Sequence, residues 1–410
     1  MKRVAVTGIG IISPIGQSVE DFWQALLRGD CGIGPLTRFD TSAYKVKIAA
    51  EVKGFDPTQH GMEASEARRM DLFVQYAMAA AHQAMADSAL AGTVPAERLA
   101  VNVSSGIGGI ETFFRESEKL LTRGPGRVSP LCIPMLIGNM AAGNIAIRYG
   151  AKGPCIPVVT ACATSTHAIG EAYRLIRHGY ADAAIAGGSE ASVNPIAIAG
   201  FTNCMALSEQ PDPMAASLPF DARRAGFVLG EGAAVVVLEE YERARSRGAH
   251  IYAEVAGYGA TCDAYHITAP DPEGQGAARA MTLALEEAGD DGRQPLYVNA
   301  HGTGTPLNDK TETLAIKHAL GEARARATPI SSIKGATGHM LGAAGGAEGI
   351  AAMLALRDGM LPPTIHLDQP DPACDLDYVP HTARPWQAEL ALSTSLGFGG
   401  HNGVLAFRRA

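Results

Sequence analysis

The sequence predicts an α/β fold made of two similar halves, and two observations carry that reading. Strand-like and helix-like segments alternate along all 410 residues, the pattern of helices layered on a buried, largely parallel sheet. Four pairs of segments also recur in the same order on either side of residue 250.

Taken in order, Lys2 to Gly10 reads as a strand entering a Gly-x-Gly turn, and His250 to Gly259 repeats it with Gly-Tyr-Gly. Leu99 to Gly109 (LAVNVSSGIGG) is matched by Leu296 to Gly304 (LYVNAHGTG). The β-branched run Pro157 to Thr160 ends near Cys162 and gives way to a helical pattern through Gly170, Tyr173, Leu175 and Ile176. Its counterpart is Thr328 to His339, followed by a small-residue helix over Leu341 to Leu356. Each half closes on a glycine turn and a β-rich run: Gly226 to Gly232 into Val235–Leu238, and Gly397 to Gly403 into Val404–Phe407. Residues 107–150 and 200–225 fall outside the repeat and read as insertions, where specificity and partner contacts tend to lie. The predicted units are 1–250, carrying Cys162, and 251–410, carrying His301, Lys334 and His339.

Composition sets the limits. Apolar residues at 47% with 19% charged describe a globular chain, and a net charge of −8 argues against a nucleic-acid binder. The seven cysteines show no CxxC spacing, which points to a reducing compartment and away from zinc or a disulfide framework. The opening Met1-Lys2-Arg3 and apolar run look superficially like a signal peptide, but Gly8, Gly10 and Pro14 interrupt it, so a first buried strand is expected. No apolar run reaches the roughly 18 residues of a membrane span, and the expected location is the cytoplasm.

The chemistry gathers at strand ends. Cys162 stands alone as a thiol where an extended run meets a helix, and a helix N-terminus favours the thiolate, so this nucleophile is expected to need little help from a base. His301 lies in Val298–Thr305 among residues small enough to admit a substrate, and His339 repeats the arrangement in the opposing unit. Two imidazoles facing a thiolate suit carbonyl chemistry, because each can donate to an oxygen that becomes negative. Lys334 lies near enough in sequence to orient His339 or add positive potential. Gly106-Ile107-Gly108-Gly109 is no dinucleotide fingerprint, and no Walker lysine follows any glycine-rich loop. A papain-like Cys-His hydrolase fits the residue types alone, but would leave the second histidine and the lysine without a role.

Four motifs then carry a resemblance: TACATS around Cys162, NAHGTGTPLND at 299–309, SSIKGATGHMLGAAGGAE at 331–348 and GFGGHNG at 397–403. With KRVAVTGIGIISPIG at the start and PFDARRAGFVLGEGAAVVVLEE at 219–240, the chain resembles the β-ketoacyl-[acyl-carrier-protein] synthases over its whole length, the type II elongating class in particular. The resemblance implies the thiolase-like fold, a duplicated five-layer αβαβα, and a homodimer. It implies a decarboxylative Claisen condensation with malonyl-carrier protein, in which Cys162 holds the acyl group and His301 and His339 stabilise the enolate. Lys334 would support His339, and the Phe398 amide would complete an oxyanion hole with that of Cys162. Thr268, Thr303 and Thr305 would meet the phosphopantetheine arm, and Ile107 and Phe201 would line the acyl pocket. No resident cofactor is expected; the substrates arrive on acyl- and malonyl-carrier protein. Asn299 and Glu348 resemble residues near a structural monovalent-cation site, although Thr394 stands where asparagine is common. Arg68, Arg69, Arg123 and Arg127 form a candidate patch for an acidic carrier protein. Leu396 and Met205 depart from the family pattern. Readings left open are a dedicated aryl-polyene or polyketide ketosynthase and a non-catalytic chain-length partner.

Overall fold

The computed structural model describes all 410 residues. Nine strands form its sheet: β1 Val4–Ile12, β2 Leu99–Ser104, β3 Ala183–Glu190, β4 Gly232–Glu240, β5 Ala253–Cys262, β6 Leu296–Asn299, β7 Ile330–Ser331, β8 Leu390–Gly397 and β9 His401–Arg409. Their order is β2-β3-β4-β1-β5-β9-β8-β6-β7. Folded about the β1–β5 contact, that order repeats: β2-β3-β4-β1 in the first half matches β6-β8-β9-β5 in the second. The directions repeat too. β2–β3 and β6–β8 are parallel, whereas β3–β4, β8–β9, β4–β1 and β9–β5 are antiparallel. The halves join through a short antiparallel ladder, Val4–Val6 against Ala253–Val255.

The expectation of a largely parallel sheet is therefore corrected. Five ladders are antiparallel and only three parallel. The strands look parallel in sequence because they are apolar on both faces, and the layering explains why. Val101, Val103, Val235 and Val237 point to an outer core with helix α1 (Leu72–Ser88) and α2 (Met140–Tyr149). Ala100, Val236 and Leu238 point the other way, to a middle core with α3 (Thr164–Arg177) and α6 (Ala344–Asp358). In the second half Tyr297, Leu405 and Phe407 face that same middle core. Leu296, Val298 and Val404 face a third core, which includes residues of α4 (Gln275–Glu287) and α5 (Pro306–Leu320). Helices, sheet, helices, sheet, helices make five layers.

The glycine pairs expected to mark turns lie inside strands. A Cβ on Gly8 or Gly10 would come within 2.2 Å of Ala84 O or 2.1 Å of Ala80 O, so these glycines let α1 lie against β1. Gly257 and Gly259 do the same for α4, against Ala284 O and Ala280 O. One further difference bears on the site. Pro157–Thr160 is extended but not a sheet strand; its neighbourhood makes a single bridge, Cys155 to Val101, where the second half places β7.

Candidate active site

The nucleophile sits on a tight elbow. Ala161 has φ +51°, Ala161–Ala163 form one 3₁₀ turn, and α3 starts at Thr164, so Cys162 lies at a helix N-terminus as expected. The second half repeats the elbow: Leu341 has φ +44°, Leu341–Ala343 form the 3₁₀ turn, and α6 follows. In that register the counterpart of Cys162 is Gly342. A non-glycine residue at positive φ is strained, and finding one at both elbows marks them as copies of one device.

Cys162, His301 and His339 are all buried and come together across the two halves. One side-chain ligand atom from each lies within 4.8 Å of the other two. The rings of His301 and His339 stand nearly perpendicular, at 82°, with centroids 5.3 Å apart. The three line one cleft of about 330 Å³, whose wall also includes Thr268, Thr303, Thr305, Phe398, Leu396 and Met205.

Each imidazole is set by its backbone. His301 follows β6, and its N–H donates to Glu312 at 2.7 Å and to Thr394 Oγ1 at 3.0 Å. Glu312 also accepts from Gly302 N–H and the Thr394 hydroxyl. The His339 N–H donates to Val228 O at 2.7 Å, and the Phe227 ring stands edge-on to its imidazole. Burial and the Lys334 charge hold both histidines well below the usual imidazole range, so both are neutral.

Lys334 is placed differently from the expectation. Its ammonium donates to Glu348 and to His301 O and lies 3.4 Å from His301 Nδ1, whereas His339 Nδ1 has no partner. An ammonium beside Nδ1 makes that nitrogen the acceptor and leaves the ring proton on Nε2. Lys334 therefore orients His301 and reaches His339 only through its field.

The thiol also differs from the expectation. Burial pushes Cys162 up to about 12, and the Glu190 and Glu348 carboxylates add to the rise. Lys334 and the Phe398 N–H pull it down without reversing it. Sequence position shows the helix terminus but not the desolvation, and here desolvation wins. The free enzyme holds a neutral thiol.

Other expected residues are less central. Phe201 packs on Phe227 in the apolar cluster around Cys162, and Ile107 lies on the turn after β2, but neither lines the cleft. Arg68, Arg69, Arg123 and Arg127 are exposed, and none makes an ion pair. Met205 is 88% exposed at the cleft wall. Asn299 Oδ1, Glu348 Oε2 and Ser393 Oγ are buried without hydrogen-bond partners, and Ser393 stands opposite Asn299 in the β6–β8 ladder. Unpartnered hard oxygens fit a cation; Thr394 turns its hydroxyl to Glu312 instead. Glu312 and Glu190 were missed in the sequence. Glu190 has one signal, a carboxylate closing the apolar, small-residue strand AAIAGGSE, whereas Glu312 lies in the polar run 308–313 and has none.

Known proteins resemble this chain along its whole length. Residues 1–244 match the family model for the beta-ketoacyl synthase N-terminal domain, and residues 252–368 match its C-terminal domain. The chain is 50% identical over 410 residues to the 3-oxoacyl-[acyl-carrier-protein] synthase 2 of Synechocystis sp., covering 98% of that protein. Among solved structures it resembles the ishigamide ketosynthase/chain length factor, with TM-score 0.93 and 37% identity, covering 100% of this chain and 99% of that one. It also matches one chain of a solved complex described as a type II PKS acyl-carrier protein in complex with its ketosynthase, with TM-score 0.90, 33% identity and full coverage of both chains.

Proposed function

The chain belongs to the β-ketoacyl synthase family, and on that premise we propose that it is an elongating 3-oxoacyl-[acyl-carrier-protein] synthase of fatty-acid synthesis. The observation that carries the reading is the Cys162, His301 and His339 trio, buried and within 4.8 Å across the halves. Its Cys162 lies on residues 1–250 and its histidines and Lys334 on 251–410, the division of labour this reading assigns.

The chemistry follows from the protonation states. Acyl-carrier protein enters past Thr268, Thr303 and Thr305, and Cys162 Sγ attacks the thioester carbon. The thiol proton passes to His339, because Lys334 leaves His301 with its proton already on Nε2, and from there to the departing phosphopantetheine sulfur. The N–H groups of Cys162 and Phe398 receive the oxyanion. Malonyl-carrier protein binds next and loses carbon dioxide, and its enolate oxygen accepts from His301 and His339. Neutral imidazoles are the right donors here, because decarboxylation needs a seat for negative charge and no strong base. The enolate carbon attacks the acyl-cysteine carbonyl, the sulfur leaves as thiolate and takes up one proton from solvent, and the chain is two carbons longer.

The same reading covers the partners. Four unpaired arginines, 68, 69, 123 and 127, suit an acidic carrier protein. A homodimer is favoured by the open edge at β2 and by Ile147, Ile156 and Val159 exposed beside it. Asn299 and Glu348 would hold a monovalent cation, whose charge would offset the buried carboxylates. Seven unpaired thiols suit the cytoplasm, and no helix is long and apolar enough to cross a membrane. Ile107 and Phe201 would bound the acyl chain if the pocket opens behind Cys162.

Mass spectrometry after incubation with acyl-carrier protein tests the function. The expected result is an acyl adduct on the Cys162 peptide and, with malonyl-carrier protein, a product longer by two carbons. An acylated enzyme that never condenses would overturn it. A product extended through several rounds would favour a polyketide pathway.

A further inference from the structure

Glu190 lies at the end of β3, fully buried, and takes no part in the chemistry above. Its carboxylate accepts five hydrogen bonds. Oε1 takes Ser105 Oγ at 3.0 Å, Ser192 Oγ at 3.0 Å and Ile107 N–H at 3.3 Å. Oε2 takes Gly106 N–H at 3.0 Å and Gly342 N–H at 3.1 Å. One group thus ties the turn that carries Ile107 to the second elbow, three residues beyond His339.

The repeat shows what this clasp replaces. The end of β8 packs on the cysteine elbow: a Cβ on Gly397 would lie 3.3 Å from Cys162 N, and the next amide, Phe398, faces the sulfur. The end of β3 is the matching position, and it reaches the second elbow at Gly342. Where the first elbow leaves its helix N-terminus open for a substrate oxyanion, the second has an internal carboxylate filling it. The backbones close tightly around that group. A Cβ on Gly106 would come 2.7 Å from Glu190 Oε2 and 3.4 Å from Ala161 O, the residue before Cys162. A Cβ on Gly342 would come 2.4 Å from Gly106 N.

We propose that Glu190 is a positioning residue: it plugs the anion site of the second, silent elbow and so holds the Ile107 turn, the Cys162 elbow and the His339 segment at one spacing. Its charge also stands close enough to Cys162 to oppose thiolate formation. The proposal rests on the condensing-enzyme reading for its catalytic consequence, but not for its effect on the thiol.

The test uses the full-length chain with Glu190→Gln and Glu190→Asp. Gln keeps the shape but offers an NH₂ to backbone donors, so one or more charge-assisted bonds are lost. With the elbow and the His339 segment no longer held at one spacing, the expected result is a fall in kcat of about tenfold or more with KM for acyl-carrier protein little changed. Removing the charge also moves the pH midpoint of Cys162 alkylation by iodoacetamide downward. Asp keeps the charge but not the reach, so it lowers kcat while leaving that midpoint in place. If E190Q does not fold, Ser192→Ala, which removes one donor, is read for the same kcat fall at constant KM. Wild-type kcat together with an unmoved alkylation midpoint in E190Q would overturn the proposal. Wild-type protein that no acyl-carrier protein acylates would overturn the condensing reading instead, and the alkylation midpoint would still judge Glu190.

Discussion

Cys162 is a neutral thiol among neutral imidazoles, and the one buried cation beside it is Lys334. Because burial has already raised the thiol to about 12, its thiolate fraction grows only as pH climbs far above the ordinary cysteine range. Lys334 works against that rise, so Lys334→Met moves the alkylation midpoint higher still, the opposite sign from Glu190→Gln. The same substitution strands Glu348, whose carboxylate is pushed up to about 7 by burial even with its partner present. Breaking a buried pair from one side costs about 3–5 kcal/mol, whereas removing both charges is far milder. The expected outcome is that K334M lowers the thermal midpoint and K334M/E348Q recovers it. Condensation stays low in both, because His301 has lost the group that fixes its proton on Nε2. Recovery of activity along with stability would show Lys334 to be structural only. At this scale the sequence revealed the chemistry through residue type and neighbours: Cys162, His301 and His339 were all found. It could not reveal which imidazole Lys334 touches, since 33 residues separate Lys334 from His301 and only the fold closes that distance.

The elements explain why some features were legible and others not. Period-two alternation puts Val235 and Val237 on one side of β4 and Val236 and Leu238 on the other, so both faces read as apolar and direction is lost. The glycines of β1 and β5 were misread as turns because sequence shows the missing side chain but not the helix lying on it. Gly397 belongs to the same class of close approach, at the cysteine elbow. A methyl there would meet Thr160 O at 2.7 Å as well as crowding the Cys162 amide. Gly397→Ala is therefore expected to slow acyl transfer to Cys162 by about tenfold or more, the scale of a displaced oxyanion donor, while the far-ultraviolet circular dichroism stays unchanged. Stopped-flow acylation measures it, and an unchanged rate would mean that the elbow tolerates the shift.

The whole molecule repeats one unit, and the unit is finished in only one half. β7 covers the edge of the second half-sheet, while the matching segment before Cys162 makes a single bridge and leaves β2 nearly bare. Along that edge Ile156 is 62% exposed, Val159 60% and Ile147 80%. An open apolar edge invites strand pairing with another chain, and the same segment leads within two residues into the catalytic elbow. Pairing with a second copy would order the approach to Cys162 as well as cover the patch. Ile156→Asp with Val159→Lys is expected to shift the protein from twice the chain mass to the chain mass in light scattering, and to lower kcat because the elbow loses its outer support. A specific interface of this kind buries about 1,200 Å² or more, so two charges at its centre suffice to open it. If the double variant keeps the doubled mass, the dimer uses another face; if the wild type is already monomeric, the edge is closed by something other than this chain.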